Sequence, residues 1–145
     1  MALKVYELTC NYMVNPIGLD ELPYFSFKID SENKEEKLSA YQIVVCDESH
    51  VVWDSKKVNK DQQLWIPFEG EELQPEKRYR WMVCVWNQAD ECFESEEAFF
   101  EMGRMKPYHW EAKWITSEPT NINIAANMNR STSPYMRREF DITKP

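Results

Sequence analysis

The chain has 145 residues, of which 43% are hydrophobic and 14% aromatic, and its 25 acidic and 17 basic side chains leave a net charge of −8. This is enough apolar material for a packed core and too much for a disordered chain. No basic cluster exceeds two consecutive residues, as at Arg137-Arg138, so neither nucleic acid nor an anionic membrane would meet a positive face, and no apolar run approaches a membrane-spanning length.

The opening residues MALKVYELTC alternate like a strand and lack the apolar core and cleavage site of a leader peptide. On that reading the protein is cytoplasmic, or secreted if a leader has been trimmed from it. Lys4 to Met13 form a first expected strand, anchored by Val5, Leu8 and Tyr12. Asn15-Pro16-Ile17-Gly18 is a turn signal, and Pro23 stands where proline is tolerated, at the start of a strand. In YFSFKI, Phe25, Phe27 and Ile29 point one way, and this set is expected in the core. The polar run Asp30 to Lys37 reads as a solvated loop. Tyr41, Ile43 and Val45 supply the inner face of the next strand, Ala40 to Asp47. Val51 to Asp54 is a short strand. Leu64, Ile66 and Phe68 then alternate with Gln63, Trp65 and Pro67, and are expected to face inward. Only 3 glycines are present, which leaves few places for tight primed hairpin turns, so most loops are expected to be longer and built on Asn, Asp and Pro.

Leu73 to Trp86, LQPEKRYRWMVCVW, is the segment with the clearest pattern. Leu73, Pro75 and Tyr79 have the spacing L-x-P-x-x-x-Y. Pro75 stops any helix and sets a bend. Tyr79 can then bury its ring and turn its hydroxyl back onto the upstream backbone, closing a corner between two sheets. Tyr79, Trp81, Val83 and Val85 share the inner face of the strand that follows. Asn87 to Asp90 is a hairpin loop, and Glu94 to Met102 is the last strand, with Phe100 inward. Roughly seven short strands at regular spacing predict an all-β, seven-stranded immunoglobulin-like sandwich. A B–F disulfide would need a cysteine at position 81, which is Trp, so the fibronectin type III variant fits better. The expected organisation is a sandwich over 1–104, a linker with a short aromatic segment over 105–134, and at 135–145 the first strand of a following, truncated β-domain. A lone strand such as YMRREFDI cannot bury its own face and needs a partner sheet.

The residues that could carry chemistry give little. Cys10, Cys46, Cys84 and Cys92 form no C-x-x-C pair and have no neighbouring histidine, so neither a metal nor a cofactor is expected, and the thiols are read as four separate small strand residues. His50 and His109 stand far apart, with no nucleophile motif beside them. The carboxylates of Glu71-Glu72, Glu94, Glu96 and Glu97 read as a solvated surface, and short strands leave little room for a deep pocket. Asn129-Arg130-Ser131 fits a glycosylation sequon. Trp53, Trp65 and Trp86 fall on faces read as outward. With Trp110 and Trp114 they form an interface with neighbouring domains, which is the favoured reading, or a platform for stacking glycans, or they serve as cross-strand pairs on a solvent face.

Taken in order, NPIGLD, PYFSFKI, AYQIVV, WDSKKV, RYRWMVCVW, FFEMG, W-x-A-K-W-I and YMRREFDI resemble the N-terminal region of bacterial α-L-rhamnosidases. The resemblance covers nearly the whole chain. It implies a fibronectin-like accessory module of an inverting glycoside hydrolase that cleaves terminal α-L-rhamnose. Its partners would be later domains of the same polypeptide, including the α/α-barrel with the catalytic carboxylates. No catalytic motif of that barrel is present here, so no catalytic residue is assigned. A carbohydrate-binding module and a free-standing interaction domain are the alternatives.

Overall fold

The computed structural model describes residues 3–33, 35–105, 111–113, 115 and 135–141. The chain divides into two units, Met1–Trp110 and Glu111–Pro145. The expected linker over 105–134 falls largely outside the described residues, as do Trp110, Trp114, His109 and the Asn129 sequon. In the second unit residues 135–141 form no strand, and each is exposed.

Among the described residues the first unit has nine strands: β1 (Lys4–Cys10), β2 (Ile17–Leu19), β3 (Tyr24–Asp30), β4 (Leu38–Cys46), β5 (Val51–Asp54), β6 (Ile66–Pro67), β7 (Arg78–Asn87), β8 (Cys92–Glu94) and β9 (Ala98–Met102). One sheet has the order β1-β3-β6. The other runs β2-β9-β7-β4-β5, with β8 also on β7. β2 joins β9 in parallel, and the other pairings are antiparallel.

Alternation along the strands makes the core. On β4 and β7 the inward residues sit directly opposite one another: Tyr41 with Val85, Ile43 with Val83, Val45 with Trp81. From the facing sheet β3 contributes Phe25 and Phe27. Phe25 lies 4.5 Å from the Trp81 ring and 5.9 Å from Phe100, and Phe27 lies 6.4 Å from Tyr41. All of these are buried. Position 81, where the disulfide-linked variant of the sandwich carries a cysteine, thus joins the two sheets through aromatic packing. Ile29 is only half-buried, because it lies near the far end of β3, beyond the two residues that β6 pairs.

The corner lies where the chain leaves β6 in one sheet for β7 in the other. The Tyr79 hydroxyl accepts a hydrogen bond from the Gln74 N–H at 2.9 Å. Its ring stacks on Phe100 at 5.3 Å. Leu73 is buried beside it and Pro75 is exposed. A charged contact fastens the same loop to the end of β4. The buried Asp47 carboxylate accepts from Lys77 Nζ at 2.6 Å and from the backbone N–H groups of Ser49 and His50 at 2.7 and 2.9 Å. His50 reaches on to Glu71 at 3.2 Å. The Lys77 ammonium and the two N–H donors hold the Asp47 carboxyl well below the usual carboxylate range. Gly70 in this loop passes so close to β5 that an added Cβ would lie 2.5 Å from that of Trp53.

Several sequence expectations need correction. Asn15 to Gly18 is more than a turn: Ile17–Leu19 pairs with β9, and Asn15 Oδ1 accepts from the Phe99 N–H at 2.9 Å. The expected last strand is split, because Ser95 inserts its side chain into the ladder. Ser95 Oγ accepts from the Val83 N–H at 3.0 Å, and its own N–H donates to Val83 O at 2.8 Å. Leu64 is exposed, since Trp65 takes a left-handed φ of 58° that interrupts the alternation. Cys84 and Cys92 are joined as a disulfide rather than standing as separate thiols. The hairpin after β7 sets Trp86 opposite Cys92 and Cys84 opposite Glu94, which puts both sulfurs on one face. Cys10 and Cys46 are free, and burial pushes the Cys10 thiol up to about 12.

Two outcomes follow from the corner. Tyr79→Phe leaves the Gln74 N–H without its acceptor and is expected to cost about 1 kcal/mol or somewhat more; an unchanged melting temperature would count against the corner. Asp47 titrates lower in the folded than in the unfolded chain, so its stabilisation is present above the unfolded value of about 4 and is lost as pH falls. The melting temperatures of wild type and Asp47→Asn should therefore differ most at neutral pH and converge in acid. A constant difference across that range would rule this linkage out.

Candidate functional site

On the outer face of the three-stranded sheet, three aromatic side chains meet that are far apart in sequence. The first comes from the turn after β1. Cys10 and Met13 exchange two backbone hydrogen bonds of 2.9 and 3.0 Å, so Asn11 and Tyr12 form a two-residue loop. Their φ angles of 48° and 67° make it a primed turn, the type expected to need glycine. Asn11 fastens this turn to β3: its N–H donates to Tyr24 O at 3.0 Å and its Oδ1 accepts from the Tyr24 N–H at 2.7 Å. Tyr24 points outward because Phe25 points inward. Trp65 arrives from the loop before β6, where its N–H donates to Ser26 Oγ at 3.2 Å.

The rings stand edge to face. The centroid of Tyr12 lies 4.8 Å from that of Trp65 at 83°, and that of Tyr24 lies 5.6 Å from it at 65°. Tyr12 is 71% exposed, Trp65 53% and Tyr24 43%. With Asn11, Glu21 and Ser26 they line a cleft of about 290 Å³. Sequence reasoning missed most of this site. Tyr12 was expected to anchor β1, and its ring is turned outward instead because the chain reverses at that residue. The signal available was Asn11, a residue that tolerates left-handed backbone, between two strand patterns.

The other tryptophans read as outward are placed differently. Trp53 stands opposite Val45 and faces the core. It stacks on Phe25 at 5.8 Å and meets Phe68 at 5.3 Å. Trp86 is half-buried, with Lys57 Nζ 4.6 Å from its ring centre. Of the tryptophans read as outward, Trp65 alone is exposed among the described residues.

Glu7, Glu94, Glu96 and Glu97 line a groove of about 720 Å³ between β1 and the β8–β9 region, larger than short strands were expected to leave. All four are exposed. Glu7 is bridged by Lys28 at 2.6 Å and Glu97 by Arg80 at 3.7 Å. A general acid needs a carboxyl that burial keeps protonated, and this groove buries none of its four. Among the described residues no group of three or more His, Cys, Asp or Glu side chains is arranged to hold a metal ion.

Comparison with known proteins agrees with this architecture. Residues 5–106 match the family described as Rha78A-like, N-terminal immunoglobulin domain. The chain is 38% identical to an α-L-rhamnosidase of Formosa agariphila over 96% of its own length, and 36% identical to one of Streptomyces avermitilis over 90%. It spans only 15% and 13% of those proteins. Among solved structures, the Streptomyces avermitilis α-L-rhamnosidase complexed with L-rhamnose superposes with a TM-score of 0.76 and 34% identity, covering 80% of this chain and 12% of that one. The α-L-rhamnosidase from Dictyoglumus thermophilum gives a TM-score of 0.74 and 37% identity, covering 79% and 14%. The Aspergillus terreus enzyme, 17% identical with a TM-score of 0.69 over 84% of this chain and 15% of that one, shares the fold. The part matched is an N-terminal immunoglobulin domain and not a catalytic one, and this chain belongs to the Rha78A-like N-terminal immunoglobulin domain family.

Proposed function

We propose that this chain serves as the non-catalytic N-terminal module of a glycoside hydrolase that removes terminal α-L-rhamnose. In this reading its role is to pack against downstream domains of the same polypeptide and hold them in position. The observation that carries the proposal is the extent of the match: most of this chain aligns with a small share of α-L-rhamnosidases, and the family it matches is described as an N-terminal domain. The second unit supports it. Ile115, Tyr135 and Phe140 are 73%, 93% and 77% exposed, and large apolar side chains left in water along one segment favour burial against another domain.

Two measurements test this. The isolated chain is expected to release no aryl alcohol from an aryl α-L-rhamnoside; a rate proportional to protein concentration would sink the accessory reading. Grafted in place of the matched region of the Streptomyces avermitilis enzyme, the chain should give an active hybrid with one cooperative melting transition. Tyr135→Ser combined with Phe140→Ser should lower that transition while leaving the melting of the isolated chain unchanged. A hybrid in which this domain melts independently would contradict the positioning role.

A further inference from the structure

We propose that the cleft formed by Tyr12, Tyr24 and Trp65 is a binding site for a neutral pyranose sugar. The proposal goes beyond the positioning role and does not depend on it. Its first support is backbone conformation. Tyr12 and Trp65 both hold left-handed φ angles, 67° and 58°, which bulky side chains adopt only at a cost in free energy. At Tyr12 the cost is avoidable, because glycine would occupy the same turn without strain. Both rings are also left largely in water, so the strain secures no core packing. The backbone strain is therefore not offset by core burial, and the arrangement presents two aromatic rings at 83° to one another.

The second support is the polar rim, which decides the class of occupant. Among the described residues the Glu21 carboxylate and the hydroxyls of Tyr12 and Tyr24 make no hydrogen bond to another side chain or to the backbone. Ser26 Oγ accepts from Trp65 N–H at 3.2 Å, which leaves its own proton to donate. An apolar protein surface closing over the cleft would strip water from these groups and give nothing back. A pyranose supplies what they need: its C–H face lies on the electron-rich face of an aromatic ring, and its hydroxyls meet the carboxylate and the three hydroxyls. The cleft of about 290 Å³ is of the size for one sugar ring. Glu21 and a net charge of −8 disfavour uronic or sulfated sugars, hence a neutral one.

The test uses the full chain, labelled with ¹⁵N, titrated with L-rhamnose, L-fucose and D-mannose, with D-glucuronate as the anionic control. At least one neutral sugar should shift the Trp65 indole N–H signal saturably at millimolar concentration, and D-glucuronate should bind about tenfold or more weakly. Tyr12→Gly should weaken binding about tenfold or more while keeping or raising the melting temperature, since it relieves strain. Trp65→Asn, which tolerates the same backbone, should abolish binding. A flat response to every neutral sugar overturns the proposal, and so does binding that survives both substitutions. Protection of Tyr12 from nitration in the hybrid enzyme would overturn it in favour of a domain contact, whatever the outcome for positioning.

Discussion

A hydrogen bond between the Gln74 N–H and the Tyr79 hydroxyl holds the bend at which the chain passes from one sheet to the other. Much of the domain is arranged around that point. Tyr79 begins the inward row of β7, which pairs with three strands: β4 on one side, β8 and β9 on the other. Its ring reaches Phe100 on β9, and the loop it closes is tied to the end of β4 through Lys77 and Asp47. The corner therefore fixes where β7 begins and ties that point to β9 and to the end of β4. Phe25 and Trp81 then join the two layers by ring packing.

With its interior filled by side chains, the sandwich offers chemistry only at its surface. The acidic groove beside β1 shows what that means. Its carboxylates are exposed and two of them are bridged by basic side chains, so none sits in the buried environment that a general acid needs. Binding is a different matter, since it needs shape and exposed hydrogen-bonding groups rather than shifted acidities. The aromatic cleft has both, on the face of the smaller sheet opposite the core.

The core was legible in the sequence because it depends on local periodicity. Phe25 and Phe27, Tyr41 to Val45, and Tyr79 to Val85 each alternate, and alternate positions of a strand share a face wherever the strand is placed. The corner was legible for a similar reason: Leu73, Pro75 and Tyr79 lie within one short stretch, and proline restricts the backbone by itself. The errors fell where a single residue departs from the regular strand. Trp65 and Tyr12 are left-handed, and Ser95 trades a ladder contact for its hydroxyl. A period-two pattern cannot report such departures.

The identity of the fold and its inner faces were thus determined by the sequence itself, through patterns that span a few residues each. Tertiary structure decided which outward aromatics meet. Tyr12, Tyr24 and Trp65 come together only because β1, β3 and the loop before β6 are neighbours in one sheet, and strand order is set by long-range packing. It also turned Trp53 toward the core, against which it packs half-buried, because a bulge beside Val45 sets the face that β5 turns inward, and Cys84 met Cys92 by hairpin register. Such choices depend on contacts between distant segments, and no local pattern contains them.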